Sequence, residues 1–285
     1  MRIREVCAVF AGIVFFWGLG RTASRTDLPD GEAVLRAMHE HYAKDWYDTL
    51  TFEQKSITHQ GDSAEKIEIW HEALKLPGKL RIDIGQRDAG NGMLVADGTL
   101  TRFQNHEVTT SRPFVHMLLV LGFDVYRQTP ETTIVQIKGE DFDLAKIHED
   151  TWDGKPVYVV GADKGDLKTK QFWIDKESLL FVRLIEPDSK EPAKINDTRF
   201  EDYRRLSVGW VAARVEFYVD GHLVFSEIYS DVKVNPKLDS SLFDAKRFQH
   251  QPAKAPAPGT SNVQPEPRKD LRLKDTFLET CSRSR

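Results

Sequence analysis

The chain has 285 residues, of which 29% are charged, and its net charge is −4. A mildly acidic chain of this kind carries no electrostatic footprint for nucleic acid and no general attraction to an anionic membrane surface. It has two cysteines, Cys7 and Cys281, and Cys7 falls in a leader expected to be removed, so no disulfide within the mature chain is expected.

The leader comes first in chain order. Arg2 and Arg4 precede an apolar run of 14 residues, Val6 to Leu19, followed by the small residues Thr22, Ala23 and Ser24. A membrane-spanning helix needs roughly 20 apolar residues, so a short run with a basic flank reads as a cleavable secretory signal over residues 1–24. Cys7 lies inside the run and cannot be the lipid-bearing cysteine that follows the apolar segment of a bacterial lipoprotein signal. The expected mature chain is therefore exported, soluble and without a lipid of its own, with a net charge of −6.

Asp30 to Asp45 reads as a helix. Asp30 stands at the N-cap and Glu32 in the first turn, while Val34, Leu35, Met38 and Tyr42 recur at spacings of three and four. From Thr49 the period changes to two. Leu50 and Phe52, then Ile67, Ile69 and Ala73, then Leu80, Ile82 and Ile84, then Met93 and Val95 alternate with polar residues. Asp97-Gly98 marks a tight hairpin, and Pro77-Gly78 and Asn91-Gly92 mark turns. This describes a meander of antiparallel strands with one apolar face.

Pro113 opens a run, Phe114 to Leu121, that is apolar nearly all round and is ended by Gly122. It reads as a short buried helix. The meander then resumes over 133–138, 143–149, 156–162, 170–174 and 180–184. A polar loop is expected over 186–197, and the last strands over 198–206, 212–219 and 222–232. After Phe248 the chain is rich in proline and then basic, and residues 249–285 read as a disordered tail. The reading is thus a signal, one domain over 25–248, and a tail.

Chemistry-bearing constellations do not stand out. His39 and His41 are two apart on a helix and face different ways. There is no His-Glu-x-x-His, no nucleophile elbow and no phosphate loop. The acidic pairs Asp141 with Asp143, Glu149 with Asp150, and Glu201 with Asp202 read as solvated turn residues, and the scattered histidines as ordinary surface or core residues. The sequence points to a chain that is not an enzyme and needs no cofactor or metal.

Several stretches resemble one family. Gly154-Lys-Pro-Val-Tyr-Val-Val-Gly161, Phe172-Trp-Ile-Asp175-Lys-Glu-Ser-Leu-Leu-Phe-Val-Arg183, Phe200-Glu-Asp-Tyr203 and Val234-Asn-Pro-Lys-Leu-Asp-Ser-Ser-Leu-Phe243 look like the late strands of the periplasmic lipoprotein carriers of the LolA/LolB type. Leu76-Pro-Gly-Lys-Leu-Arg81 and Ala96-Asp-Gly98 look like their first hairpins. The resemblance covers about residues 30 to 245, and Trp210-Val-Ala-Ala213 departs from it, lacking the proline usual there.

The resemblance implies a mainly antiparallel β (α+β) fold: a curved, incomplete β-barrel of about eleven strands, with an N-terminal helix and a mid-chain lid helix over an apolar cavity. It implies a soluble periplasmic carrier, a monomer, that binds lipoprotein acyl chains or other lipids and meets inner- or outer-membrane proteins of lipoprotein transport. On that reading Phe114, Met117, Leu118 and Leu121 form the lid, and Leu50, Phe52, Ile67, Ile69, Leu80, Ile82, Met93 and Val95 the cavity wall. The alternative is a periplasmic sensor or scaffold that uses the same fold to bind a protein partner.

Overall fold

The computed structural model describes residues 28–250 except 60, 62 and 63. The expected signal peptide and nearly all of the expected tail lie outside the described residues.

Helix α1, Gly31–Tyr42, opens the described chain; its cap Asp30 accepts from the Ala33 N–H at 2.8 Å. Six strands follow: β1 Thr49–Thr58, β2 Lys66–Lys75, β3 Lys79–Ile84, β4 Gly92–Ala96, β5 Thr99–Gln104 and β6 Glu107–Pro113. Then come α2 Met117–Gly122, a 3₁₀ turn Asp124–Tyr126 and α3 Pro130–Gly139. Seven more strands complete the sheet: β7 Ile147–Trp152, β8 Lys155–Val160, β9 Gln171–Asp175, β10 Phe181–Pro187, β11 Ile195–Arg205, β12 Trp210–Val219 and β13 His222–Val234. A 3₁₀ turn, Ser240–Phe243, and α4, Ala245–His250, close the described chain.

All 13 strands form one antiparallel sheet in the order β6-β5-β4-β3-β2-β1-β13-β12-β11-β10-β9-β8-β7. Every pairing but one joins strands adjacent in sequence; the exception, β1 with β13, joins the two halves. Three hairpins turn on Asp-Gly pairs with both residues left-handed: Asp97-Gly98, Asp153-Gly154 and Asp220-Gly221. That conformation matches the right-handed twist of the strands, and Asp-Gly adopts it at little cost. The sheet stays open because its edges, β6 and β7, do not pair, and the α2–α3 segment joins them. Exposed edge strands invite pairing with other chains, and β6 is short, exposed and ended by Pro113.

The inner face is the one the first three helices cover. Val34, Leu35 and Met38 of α1, Met117, Val120 and Leu121 of α2, and Ile134 and Ile137 of α3 join the strands in one continuous buried cluster. The outer face carries two smaller clusters. One packs Leu94, Ala96 and Phe103 under Phe243 and Phe248 of the closing segment; the other packs Val157, Val159, Trp173 and Ile185.

Several expectations are corrected. The sheet has 13 strands, not about eleven. Residues 133–138 are not a strand but the body of α3. Thr129 caps it and Pro130 stands in its first turn, and these start signals outweigh the β-branched composition of Thr-Thr-Ile-Val. The helix expected from Pro113 begins at Met117, because Pro113 still belongs to edge strand β6 and His116 is the cap. The loop expected over 186–197 shrinks to the residues between Pro187 and Ile195. There the Asp188 carboxylate accepts from the Lys190 and Glu191 N–H groups, both at 2.9 Å, a tight side-chain-capped turn.

Candidate ligand site on the inner face

Alternation places every second residue of a strand on the inner face. On β1 these are Leu50, Phe52, Gln54 and Ser56; on β13, Phe225, Glu227 and Tyr229 oppose Thr58, Ser56 and Gln54. On β3 and β4, Leu80 pairs with Val95 and Ile82 with Met93. Leu50, Phe52, Leu80, Ile82, Met93 and Val95 are all buried in the inner cluster, as are Phe114, Met117 and Leu121, and Leu118 packs against it half-buried. The structure thus brings the lid residues and six of the eight wall residues together.

Ile67 and Ile69 do not join them. They are 51% and 44% exposed and point outward, because Trp70, Glu72 and Leu74 take the inner face of β2. Register fixes this: Leu50 lies opposite Leu74 and Phe52 opposite Glu72, whereas Ile69 lies opposite Lys55. The apolar isoleucines suggested one phase of the strand, and the larger Trp70 and Leu74 set the other.

The α2 segment is held at both ends. His116 Nδ1 accepts from the Leu119 N–H at 3.3 Å. Burial lowers its pKa to about 4, so at neutral pH the ring is uncharged, as an acceptor must be. At the far end Gly122 lies against β11: a Cβ there would stand 2.9 Å from the Phe200 ring. Beyond it, Asp124 is 1% exposed and accepts from the Gly78 N–H at 3.0 Å, tying the segment to the β2–β3 turn. Burial raises its pKa to about 7. Below this lies an aromatic floor in which Trp46 packs 4.0 Å from Tyr126 between ring centroids, and the Tyr126 hydroxyl accepts from the Phe181 N–H at 3.1 Å.

The upper part of the inner face is polar, which the sequence reading did not anticipate. Glu72 and Gln54 are buried. Glu227 accepts from the Tyr229 hydroxyl at 2.7 Å, and the Tyr229 ring stacks on Phe52 at 4.2 Å. Burial is the main reason the Glu72 carboxyl titrates well above the usual range, with the Glu227 charge adding to it. Burial also lifts Glu227 to about 7, against hydrogen bonds from Tyr229 and Gln54.

A second concavity opens where strands part. β10 pairs with β11 only between Arg183–Pro187 and Ile195–Arg199, while β11 follows β12 as far as Arg205. The divergence leaves a cleft of about 810 Å³ whose walls include Trp152, Tyr203, Trp210 and Arg214. Its Arg214 is already engaged, meeting Glu201 at 2.6 Å, Asp202 at 3.0 Å and Glu216 at 2.6 Å. Glu201 and Asp202 are therefore partners of one arginine, not free turn carboxylates.

No protein-family model matches the chain, and no curated protein does. Solved structures do. A DUF1329 family protein from Desulfovibrio piger is 13% identical with a TM-score of 0.50, covering 77% of this chain and 98% of its own. A LolA superfamily protein from Nitrosomonas europaea is 14% identical with a TM-score of 0.47, covering 73% and 96%. An outer membrane lipoprotein-sorting protein domain from Vibrio parahaemolyticus is 13% identical with a TM-score of 0.45, covering 77% and 98%. At such identity a likeness is one of fold, and the Desulfovibrio protein shares it at a TM-score of 0.50.

Proposed function

We propose that the chain is a periplasmic carrier that holds an acyl chain, from a lipoprotein or another lipid, against the inner face of its open sheet. The observation that carries this reading is the seat of α2. A short apolar helix rests on the inner face, inside the one segment that joins two unpaired edge strands. Lifting it uncovers apolar surface without breaking a strand pair. Four lid side chains, Phe114, Met117, Leu118 and Leu121, gain roughly 8 kcal/mol by burial at about 2 kcal/mol each. A 16-carbon chain gains roughly 13 kcal/mol at about 0.8 kcal/mol per methylene, so it can replace them. The process is binding and release with no chemical step, and membrane proteins of lipoprotein transport are the natural donor and acceptor.

The test is solvent extraction of the purified mature chain, followed by mass spectrometry. Acyl lipid should co-purify, and Leu118→Asp should release it. If no lipid is recovered and an apolar dye does not bind, the carrier reading fails. A second reading, partner binding by a sensor or scaffold, has its own observation. Ile69 and Ile228 flank Lys55 in adjacent strands, and with Ile67 they leave apolar side chains exposed on the outer face.

A further inference from the structure

We propose that Glu72, Glu227 and Gln54 form a head-group site for the ammonium of an amphiphile whose tail lies along the apolar part of the inner face. This rests on the carrier reading and narrows it to a class of ligand.

The placement comes from register. Gln54 lies at the centre of β1, between Trp70 of β2 and Tyr229 of β13. Glu72 stands opposite Phe52, one inner-face position toward one end of β1, and Glu227 opposite Ser56, one toward the other. The three side chains therefore lie on the same face, and the Glu227 charge acts on the Glu72 carboxyl. Glu227 keeps some accessible surface although its carboxyl lies deep among protein atoms.

What Gln54 leaves unfilled is an acceptor. Gln54 is fully buried and donates through Nε2 to Ser56 Oγ at 2.9 Å, while its Oε1 has no hydrogen-bond partner. Tyr229 spends its one donor on Glu227. Among the described residues, no lysine or arginine lies in ion-pair range of Glu72 or Glu227. Lys66, on the same face of β2, lies 3.8 Å from Glu68. Buried carboxylates are normally paired, because an unpaired charge in a poor solvent is costly. A buried acceptor left unmade carries its own penalty.

Two carboxylates and one amide oxygen ask for a group with several donors, a positive charge and no acceptor. A primary ammonium has three donors and no acceptor. A metal ion is a poorer match, since among the described residues no three His, Cys, Asp or Glu side chains gather as a cage requires. The floor beside the site is apolar: Phe52, Leu50, Leu74 and Leu80 continue the same face away from Glu72. Head and tail thus have adjoining places.

Three ten-carbon probes separate the contributions: decylammonium, decanol and decanoate, each titrated into the full mature chain at pH 7.5 by calorimetry. Decanol reports the carrier reading alone. Decylammonium should bind about tenfold or more tightly than decanol, the scale of one charged hydrogen bond, and decanoate more weakly than either. Because the Glu227 carboxyl, with its pKa lifted to about 7, holds a proton part of the time at this pH, ammonium binding should release protons, seen as a heat that changes with buffer ionisation enthalpy. The double variant Glu72→Gln with Glu227→Gln should bind decanol as before and lose the preference for the amine. It removes charges whose burial is unfavourable, so its melting point should not fall, and a lost preference cannot be blamed on unfolding. If decanol binds and the amine binds no better, or if the preference survives in the double variant, the head-group site is wrong and the carrier reading stands. If none of the three binds, both are wrong.

Discussion

The carboxyl of Asp124 offers a sharp test of how the α2 segment is anchored. It is 1% exposed and accepts one backbone hydrogen bond, from Gly78 at 3.0 Å. Burial carries its pKa from the ordinary 3.8 to about 7. The folded state therefore binds this proton more tightly than the unfolded chain does. Between pH 3.8 and 7 the folded form is protonated and the unfolded form is not, so stability falls as pH rises through that window and is level above it. The difference amounts to roughly 4 kcal/mol, at 1.36 kcal/mol per pH unit. Asp124→Asn keeps an oxygen acceptor for the Gly78 N–H and abolishes the ionisation. Urea unfolding followed by circular dichroism should show the variant equal to wild type near pH 4. Its advantage should grow to roughly 4 kcal/mol at pH 8, with an unchanged slope. A variant less stable at every pH, or a constant difference across the range, would refute the assignment of a buried, protonated anchor.

Other substitutions probe other parts of the argument. Gly122→Ala would place a methyl 2.9 Å from the Phe200 ring and should cost roughly 1–3 kcal/mol in denaturant unfolding, as overpacking does. Phe52→Ala, at a side chain 1% exposed, should cost about 3–5 kcal/mol. Ile69→Thr, on the outward phase of β2, should stay within about 0.5 kcal/mol of wild type; similar losses at both positions would mean that the register of β2 is misread. Arg183 contacts Asp197 twice at 2.8 Å and lies over the Trp152 and Trp173 rings at 4.2 and 4.5 Å. Arg183→Met should cost about 3 kcal/mol and shift tryptophan fluorescence.

Much of the fold was legible because its signals are local. Asp30 marks α1, the Asp-Gly pairs mark three hairpins, and period-two patterning marks most strands. Edge strand β6 was missed because its residues, Glu-Val-Thr-Thr-Ser-Arg-Pro, are nearly all exposed and carry no apolar alternation to read. Helix α3 was misread because β-branched residues were weighed above the Thr129-Pro130 start. The site was legible where apolar residues line it and invisible where it is polar. Glu72 reads as the solvent side of β2 as long as Ile67 and Ile69 set the phase. Trp70 and Leu74, two residues to either side of Glu72, are the signal that could have placed it inside. The part of Glu227 depends on β13 pairing with β1 across the whole chain, and no local pattern encodes that pairing.

The buried charges of this protein fall into two kinds, and the contrast bears on what the inner face is for. On the outer face, buried charge is neutralised within the protein. Arg81, 2% exposed, is held by Asp83 at 2.8 Å and Asp88 at 2.9 Å and lies over the Phe248 ring at 4.3 Å. Asp197 is shared by Arg183 and Arg199, each at 2.8 Å, and both guanidiniums stack on aromatic rings. The chain therefore has the means to pair a carboxylate in a desolvated place, and uses them where strands need fastening. On the inner face the same chain places Glu72 and Glu227 on the strands either side of β1 with no lysine or arginine among the described residues in ion-pair range of either. A fold selected for stability alone would gain by replacing either with a neutral side chain of equal size. Retaining two buried carboxyls, one of which raises the pKa of the other, on the face proposed to hold a ligand fits a site whose counter-charge arrives with that ligand.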